Sequence, residues 1–417
     1  MSEMSPLVFF GTPEFAVPTL AALVAAGRAP VCVVTQPSRP AGRGQQEQPP
    51  PVARWARDHG LTVLQPERVR SPEFLAQLRP LRPALGVVVA FGQIFPAELL
   101  SLPEHGCLNL HASLLPAFRG ASPIQAAVAA GETRTGVTVM RMEKGLDSGP
   151  ILLQQETPLG AEETADELAT RLAVLGADLI VAALASLERG ELTPQPQDGD
   201  RATYAPRLTR ESGRVDWTLI AAELANRLRA YTPWPGLTAE LRGAPVKLVR
   251  ARPAAPPPAD LPTAPATTPT TATTAPATTA APAAPAFAIT ATRATPDNRE
   301  TEEIQKSPES PASPESQGFP EPPETREVSE TSETSEPPVP DTVASSSSIL
   351  AALADVVAPY LGPAPGTYLG MSPAGATIAC GGGSVLAVAE LQRPGRKAQR
   401  AEDFVNGERL RVGELFS

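Results

Sequence analysis

Residues 7–34 read LVFFGTPEFAVPTLAALVAAGRAPVCVV. Leu7 to Phe10 is a short apolar run rich in branched and aromatic side chains, and it stops at Gly11, as a buried strand does. Glu14 to Ala26 then spaces its apolar residues as a helix does and ends at Gly27, a residue that terminates helices readily. A second apolar run follows at Val31 to Val34. The order is therefore strand, helix, strand, and the intervening helix implies that the two strands run parallel.

Working outward, Ala84–Ala90, Cys107–Leu110 and Val137–Met140 are further strand candidates, with helical segments near 50–59, 71–79 and 123–130. The expectation is an α/β fold with an open, mostly parallel sheet, which takes its ligands at the carboxyl ends of the strands. The turn after the first strand, GTPEF, lacks G-x-G-x-x-G, and there is no phosphate-loop lysine pattern, so dinucleotide binding has no motif here. Glu163 to Leu187 reads as a long amphipathic helix packed on the sheet as its last layer.

Beyond that helix the periodicity is lost, and residues 191–216 read as a polar, turn-rich linker after a first domain spanning 5–190. A helix over Thr218–Ala230 leads through YTPWPG into the alternating residues LTAELRG and PVKLVRARP, a hairpin that opens a smaller β domain at 217–253. Residues 254–347 are Ala, Pro and Thr, then Glu, Ser and Pro; such a composition cannot offset the entropy of ordering and is expected to be disordered. Strands resume at Gly366–Gly370, Thr377–Cys380 and Ser384–Leu391, so 348–417 is expected to complete the β domain around one long surface loop.

The 417 residues carry a formal net charge of -10, which argues at first against a nucleic-acid partner. Asp297–Asp341 holds 13 acidic and 3 basic side chains and accounts for the whole excess, leaving 32 of each sign elsewhere. Three cysteines, Cys32, Cys107 and Cys380, stand far apart, which excludes a disulfide scaffold or a cysteine-rich zinc site and fits a reducing compartment. The opening residues show no leader pattern and no stretch reaches about 18 uncharged apolar residues, so a cytoplasmic protein with no membrane span is expected.

The segment 107–125, CLNLHASLLPAFRGASPIQ, concentrates the chemistry. Asn109 and His111 lie two apart at a strand end, so their side chains leave one face. An amide donor beside an imidazole suits a carbonyl that becomes a tetrahedral oxyanion. The same pair also suits an ordinary polar strand end. Asp147, in MRMEKGLDSGP, follows the strand 137–140; if that strand neighbours the first, the carboxylate reaches the imidazole and sets its tautomer. By itself it is equally an aspartate capping a turn before Gly149. Ser122, Pro123 and Gln125 carry a helix-start signature with a capping box. His59 and His105 have no partners at metal-ligand spacing, so no metal is expected. The loop TQPSRPAGRGQQEQPP, residues 35–50, carries Arg39 and Arg43 and reads as a flexible loop suited to phosphate or RNA, or as ordinary solvated surface.

On NLHASLLPAFRGASPIQ and the following Asp147-Ser148-Gly149, the chain resembles the methionyl-tRNA formyltransferase family. The resemblance covers residues 5–250 and 364–412, including AYTPWPG and LQRPGRKAQRAEDFVNG. It implies a Rossmann-like formyltransferase sheet followed by an OB-like β-barrel, and formyl transfer from 10-formyltetrahydrofolate to the amino group of methionyl initiator tRNA. Asn109, His111 and Asp147 would be catalytic. Ser113, Leu114, Leu115 and Pro116 would line the folate site with the backbone around Phe91, Gly92 and Ile94. Arg39, Arg43, Arg207, Arg210 and Lys247 would meet the tRNA, Arg43 matching the important arginine of the family's inserted loop. Arg214, Arg242 and Arg250 are further sources of positive charge. A monomer is implied. The catalytic signature is shared with formyltransferases of small amines and with formyltetrahydrofolate hydrolases, so it specifies the chemistry better than the acceptor. Two further readings are an RNA-binding protein with a lost activity and a scaffold housed in 254–347. The acidic insertion has no counterpart in the family pattern and is expected to project away from RNA.

Overall fold

A computed structural model describes residues 6–41, 46–255 and 362–417. Strand β1 (Leu7–Gly11) is buried at every position, and its outer turn leads through a short 3-10 turn into helix α1 (Val17–Ala25), where Pro18 stands in the first turn without removing a needed hydrogen bond. There follow β2 (Cys32–Val34), the hairpin β3 (Arg39–Ala41) and β4 (Gln46–Gln48), α2 (Pro51–Asp58), β5 (Val63–Leu64), α3 (Pro72–Leu78), β6 (Leu85–Val89), α4 (Ala97–Leu100) and β7 (Cys107–His111). Then come β8 (Arg119–Gly120), α5 (Pro123–Ala130), β9 (Arg134–Arg141), β10 (Ile151–Pro158) and α6 (Ala165–Glu188).

The strand order is β10-β9-β7-β6-β1-β2-β5. The pairs among β7, β6, β1, β2 and β5 are parallel, whereas β9 joins β7 and β10 joins β9 antiparallel. This is an open, mostly parallel sheet of Rossmann-like form, and its connections reverse direction between β1 and β6. One face carries Leu108, Leu110, Val137 and Val139 in a single core with α1 and α6 residues such as Leu20, Leu172 and Ile180. The other carries Val8, Phe10, Val34, Val88 and Cys107 against Phe74, Leu75 and Leu99 from α3 and α4. Helix α6 is long and apolar enough to pass for a membrane span by composition, but half of its apolar window is buried against the sheet, and a capping box of Thr164 with Glu167 starts it.

After α6, β11 (Tyr204–Ala205) pairs with β8, and α7 (Ala221–Tyr231) leads to β12 (Leu237–Leu241) and β13 (Ala244–Ala254). The described chain resumes into β14 (Tyr368–Ser372), β15 (Gly375–Ala379), β16 (Val385–Gln392), β17 (Gln399–Arg400) and α8 (Ala401–Glu408). These form an antiparallel sheet of order β12-β13-β16-β15-β14, with β17 on β16. Residues 413–417 bond to both of its edges: Ser417 and Glu240 exchange backbone bonds of 2.8 and 2.6 Å, and Gly413 N donates to Tyr368 O at 2.9 Å. Leu224 and Leu228 of α7, Phe404 of α8 and Phe416 fill the enclosed core. Arg229 of α7 ties the two halves by donating to Glu163 O at 2.7 Å.

Two expectations change. Ser122 makes no side-chain cap at α5; its backbone N donates to Ala205 O at 3.3 Å instead, because β11 lies against this turn and sets its conformation. The ends of the 35–50 loop pair as β3 and β4, with Arg39 opposite Gln48, rather than forming free chain. The expected disordered insertion, 254–347, lies outside the described residues apart from its first two.

Candidate active site

Alternation along β7 sends Leu108 and Leu110 into the α6 core and leaves Cys107, Asn109 and His111 on the opposite face. On that face the start of β7, at Cys107, packs with residues of α3 and α4, while Asn109 and His111 lie further along the strand, towards the loops that follow β7 and β9. On β9, Met140 stands opposite Asn109 and Thr138 opposite His111, so the expected neighbourhood of the two strands is met. Asp147, in the loop after β9, brings Oδ2 to 3.6 Å from His111 Nδ1. His111 is 5 % exposed, and Asn109 is half-buried beside it.

The imidazole is oriented from its other side, where Nε2 lies 2.9 Å from Phe118 O. A carbonyl only accepts, so this arrangement places a hydrogen on Nε2 and directs Nδ1 at the carboxylate. At 3.6 Å that pair is just beyond direct bonding, a spacing that a modest loop movement closes once one of the two atoms carries a proton. Asp147 Oδ2 also accepts from Gly120 N at 2.8 Å. Asp147 itself has φ +49, an uncommon conformation for a residue with a Cβ, which its surroundings must hold.

Ser113 to Pro116 form a shaped segment. Thr138 Oγ1 donates to Ser113 O at 2.6 Å and accepts from Leu115 N at 3.2 Å, while Gln154 Nε2 donates to Leu115 O at 2.8 Å. Ser113 Oγ closes the turn on Ala117 O at 2.6 Å. Leu114, Leu115 and Pro116 line a cavity of about 360 Å³ with Gln154, Glu156 and Arg201. The second backbone segment, after β6, is also stitched in place: Phe91 O accepts from Gln36 Nε2 at 2.9 Å and Thr12 Oγ1 at 3.2 Å, tying the ends of β1, β2 and β6 together. Phe91 is buried, Gly92 turns with φ +82, and Ile94 stands 92 % exposed at the tip.

Sequence reasoning missed Thr138, Gln154, Arg119 and Gln197. Arg119 is buried and directs Nε and Nη2 at Gln197 Oε1, at 3.0 and 2.8 Å. The opposition of Thr138 to His111 follows once β9 is paired with β7, but nothing in QPQDGD marks Gln197. The basic residues are more scattered. Arg39, Arg207 and Arg210 are exposed, and Arg43 lies outside the described residues. Lys247 Nζ donates to Pro233 O at 3.2 Å, and Arg242 is engaged by Glu414 at 2.6 and 2.8 Å, so neither is a bare surface charge. The cysteine thiols are buried, with Cys107 pushed up to about 12 and Cys32 and Cys380 to about 11 by burial; none is a thiolate nucleophile.

Residues 5–184 match the Formyl transferase family, and residues 207–269 with 338–409 match the Formyl transferase C-terminal domain. A methionyl-tRNA formyltransferase of Acidobacterium capsulatum is 54% identical over 245 residues, 58% of this chain and 79% of that protein. Those of Halorhodospira halophila and Citrifermentans bemidjiense are 52% and 49% identical, over 61% and 60% of this chain and 82% and 78% of theirs. The chain belongs to the methionyl-tRNA formyltransferase family. Its C-terminal match comes in two pieces separated by 270–337, so that stretch is additional to the family pattern. Within this formyltransferase, an amide, an imidazole and a carboxylate share one strand end with two backbone segments held rigid on either side.

Proposed function

We propose that this chain transfers the formyl group of 10-formyltetrahydrofolate to the α-amino group of methionyl initiator tRNA in the cytoplasm. The observation that carries the reading is the meeting of Asn109, His111 and Asp147 at one strand end in a chain about half identical to proteins of that name. The neutral amine attacks the formyl carbon, forming the C–N bond and a tetrahedral oxyanion. Asn109 donates to that charge, His111 takes up the proton the amine loses at Nδ1 and as an imidazolium adds to the stabilisation, and Asp147, facing Nδ1, orients the ring and helps remove the proton. Collapse breaks the bond to N10 of the folate, and the proton removed from the amine is passed on to N10, so tetrahydrofolate leaves and the site returns to its starting state. The stitched segments at Phe91, Gly92 and Ile94 and at Ser113–Pro116 are the folate contacts in this reading, and holding both in place is what makes attack effectively unimolecular.

Residues 5–190 form the catalytic domain and 191–216 the linker, with 217–253 and 348–417 as an OB-like domain around an insertion at 254–347. The two-edge pairing of 413–417 supports a closed barrel of that kind. Arg39, Arg43, Arg207, Arg210 and Lys247 meet the tRNA, and the protein acts as a monomer off the membrane and without a metal. Transfer of label from formyl-labelled 10-formyltetrahydrofolate to methionyl initiator tRNA, compared with elongator tRNA and no tRNA, tests the reading. Label on the initiator species is expected; labelled formate without tRNA would make the protein a hydrolase. His111→Ala should lower turnover about 10²–10⁴-fold with little change in tRNA affinity, and equal loss of both would remove the catalytic role.

A further inference from the structure

The segment that reads as a spacer in the sequence lies across the catalytic loops. Gln195 and Ile151 exchange backbone bonds of 2.8 Å, Thr203 O accepts from Arg119 N at 2.8 Å, Thr203 Oγ1 accepts from Phe118 N at 2.8 Å, and Ala205 O accepts from Ala121 N at 2.9 Å. Between these anchors Gln197 uses both ends of its amide. Nε2 donates to Asp147 O at 2.8 Å and to Gly149 O at 2.7 Å, while Oε1 accepts from both Arg119 nitrogens. The opposed donors and acceptors fix which way the amide faces. We infer that Gln197, oriented by buried Arg119, is a positioning residue that holds the Asp147 loop at its working distance from His111. One of its two carbonyl contacts is on Asp147 itself, the residue held at φ +49, whose own carboxylate is tied to Gly120, the neighbour of Arg119. The inference rests on the catalytic role proposed for Asp147.

Gln197→Glu keeps the shape and the acceptor for Arg119 but sets a carboxylate against two carbonyl oxygens. Expected is a fall in kcat of about 10–100-fold, as for a misplaced reacting group, with KM for both substrates within about twofold of wild type. Arg119→Lys, which keeps the charge but loses the fork, should recover part of the loss seen in Arg119→Met. Gln195→Ala, which leaves the backbone bridge intact, serves as the linker control with wild-type kinetics. Activity is normalised to the folded fraction, so instability alone does not register as a kcat effect. A wild-type kcat in Gln197→Glu, or a loss lying wholly in KM, overturns the inference. Wild-type protein that formylates no methionyl-tRNA overturns the functional reading itself.

A second, independent observation concerns the turn between α7 and β12. Trp234 is 54 % exposed, whereas Trp217 is 6 % exposed and Trp55 stacks on His59 at 3.7 Å. The turn presenting it is clamped by Gly236 N to Tyr231 O at 2.8 Å and by Lys247 Nζ to Pro233 O. A Cβ at Gly213 would come within 2.2 Å of Gly236 O, so the linker abuts the turn and brings exposed Arg210 and Arg214 beside it. Arg214 bridges to Thr238, which is opposite Lys247, so two cations flank Thr238 on one sheet face. We propose that Trp234 is a stacking platform for an unpaired tRNA base, with Lys247 holding the turn; this depends on the tRNA partner above. Aromatic stacking with flanking cations is how proteins grip single-stranded nucleotides.

Titrating wild type with methionyl initiator tRNA should quench tryptophan fluorescence, and Trp234→Phe should remove most of that quench. Trp234→Ala should raise the tRNA Kd about tenfold and Trp234→Tyr recover it, at unchanged folate KM. Equal tRNA affinity in Trp234→Ala with the quench intact overturns the platform, while absent binding by wild type overturns the tRNA reading.

Discussion

Thr138→Val isolates what one buried hydroxyl does for the segment proposed to contact the folate. Thr138 is fully buried, and its Oγ1 donates to Ser113 O at 2.6 Å while accepting from Leu115 N at 3.2 Å and Gln154 Nε2 at 2.9 Å. Valine has nearly the same shape, so no cavity forms, but Ser113 O and Leu115 N lose this buried partner. Each orphaned buried group costs about 1–3 kcal/mol. Gln154 keeps its bond to Leu115 O, which limits the rearrangement, so the total is about 2–4 kcal/mol. At ~2–4 °C per kcal/mol for a domain of this size, the melting temperature should fall by roughly 4–16 °C. The segment that loosens is Ser113–Pro116, so KM for 10-formyltetrahydrofolate should rise about 5–30-fold as ordering is transferred to binding, with kcat at saturating folate largely kept. Thr138→Ser restores the hydroxyl and loses one methyl, a cost of about 1 kcal/mol. Thermal unfolding and folate saturation kinetics on the three proteins give the answer. If Thr138→Val melts with Thr138→Ser and saturates at the wild-type folate concentration, the hydroxyl does not order this segment.

The remaining predictions concern other links. Arg28 pairs with Glu188 across the ends of α1 and α6 and holds its carboxyl below the usual carboxylate range through a side-chain hydrogen bond. A lowered folded-state value means stability present above the unfolded value of about 4.3 and lost as pH falls through the folded one, so the advantage of wild type over Glu188→Gln in urea unfolding should be flat from about pH 7 to 5 and vanish towards about pH 3. Gly120→Ala puts a Cβ 2.5 Å from Ala205 O at φ +122, so it should separate β8 from β11, release the Asp147 contact and lower kcat along with the melting temperature; unchanged values of both would show that this pairing is dispensable. Iodoacetamide at about pH 8 should leave activity intact, because the buried thiols with values of about 11 to 12 hold almost no thiolate; inactivation traced to Cys107 would contradict its burial.

The parts of the fold that were legible in sequence are those where one face decides everything. Strand β7 shows its alternation because Leu108 and Leu110 must meet the α6 core, and that alone puts Asn109 and His111 together on the other side. The Asp147 contact needed only the additional fact that β9 lies beside β7. By contrast β10 escaped notice, since Gln154, Gln155 and Glu156 are exposed on an edge strand and carry no buried stripe. Ser122 had the residue types of a cap, but a cap is a local preference, and Ala205 from the linker outbid it for the backbone. Gln197 was invisible for a related reason. Its meaning lies in three partners, Arg119, Asp147 and Gly149, that are 48 to 78 residues away in sequence.

Register also explains how a family domain carries a long additional stretch. Ala254, the last residue of β13, is opposite Val385; Val385 is opposite Ala379; and Tyr368, the first residue of β14, is opposite Ile378. The two ends that flank the inserted stretch therefore emerge at the same end of the sheet, separated by three strand spacings, or roughly 14 Å. A connection of about 6–8 residues spans that gap, and because closure cost grows only with the logarithm of length, more than a hundred residues in its place cost about 2 kcal/mol more. Among the described residues, 413–417 join β12 to β14 through Glu240 and through Gly366 and Tyr368, and α7 and α8 seal the core. Length added at that one position is thus compatible with the described antiparallel sheet and with the linker that reaches Asp147, whatever its composition.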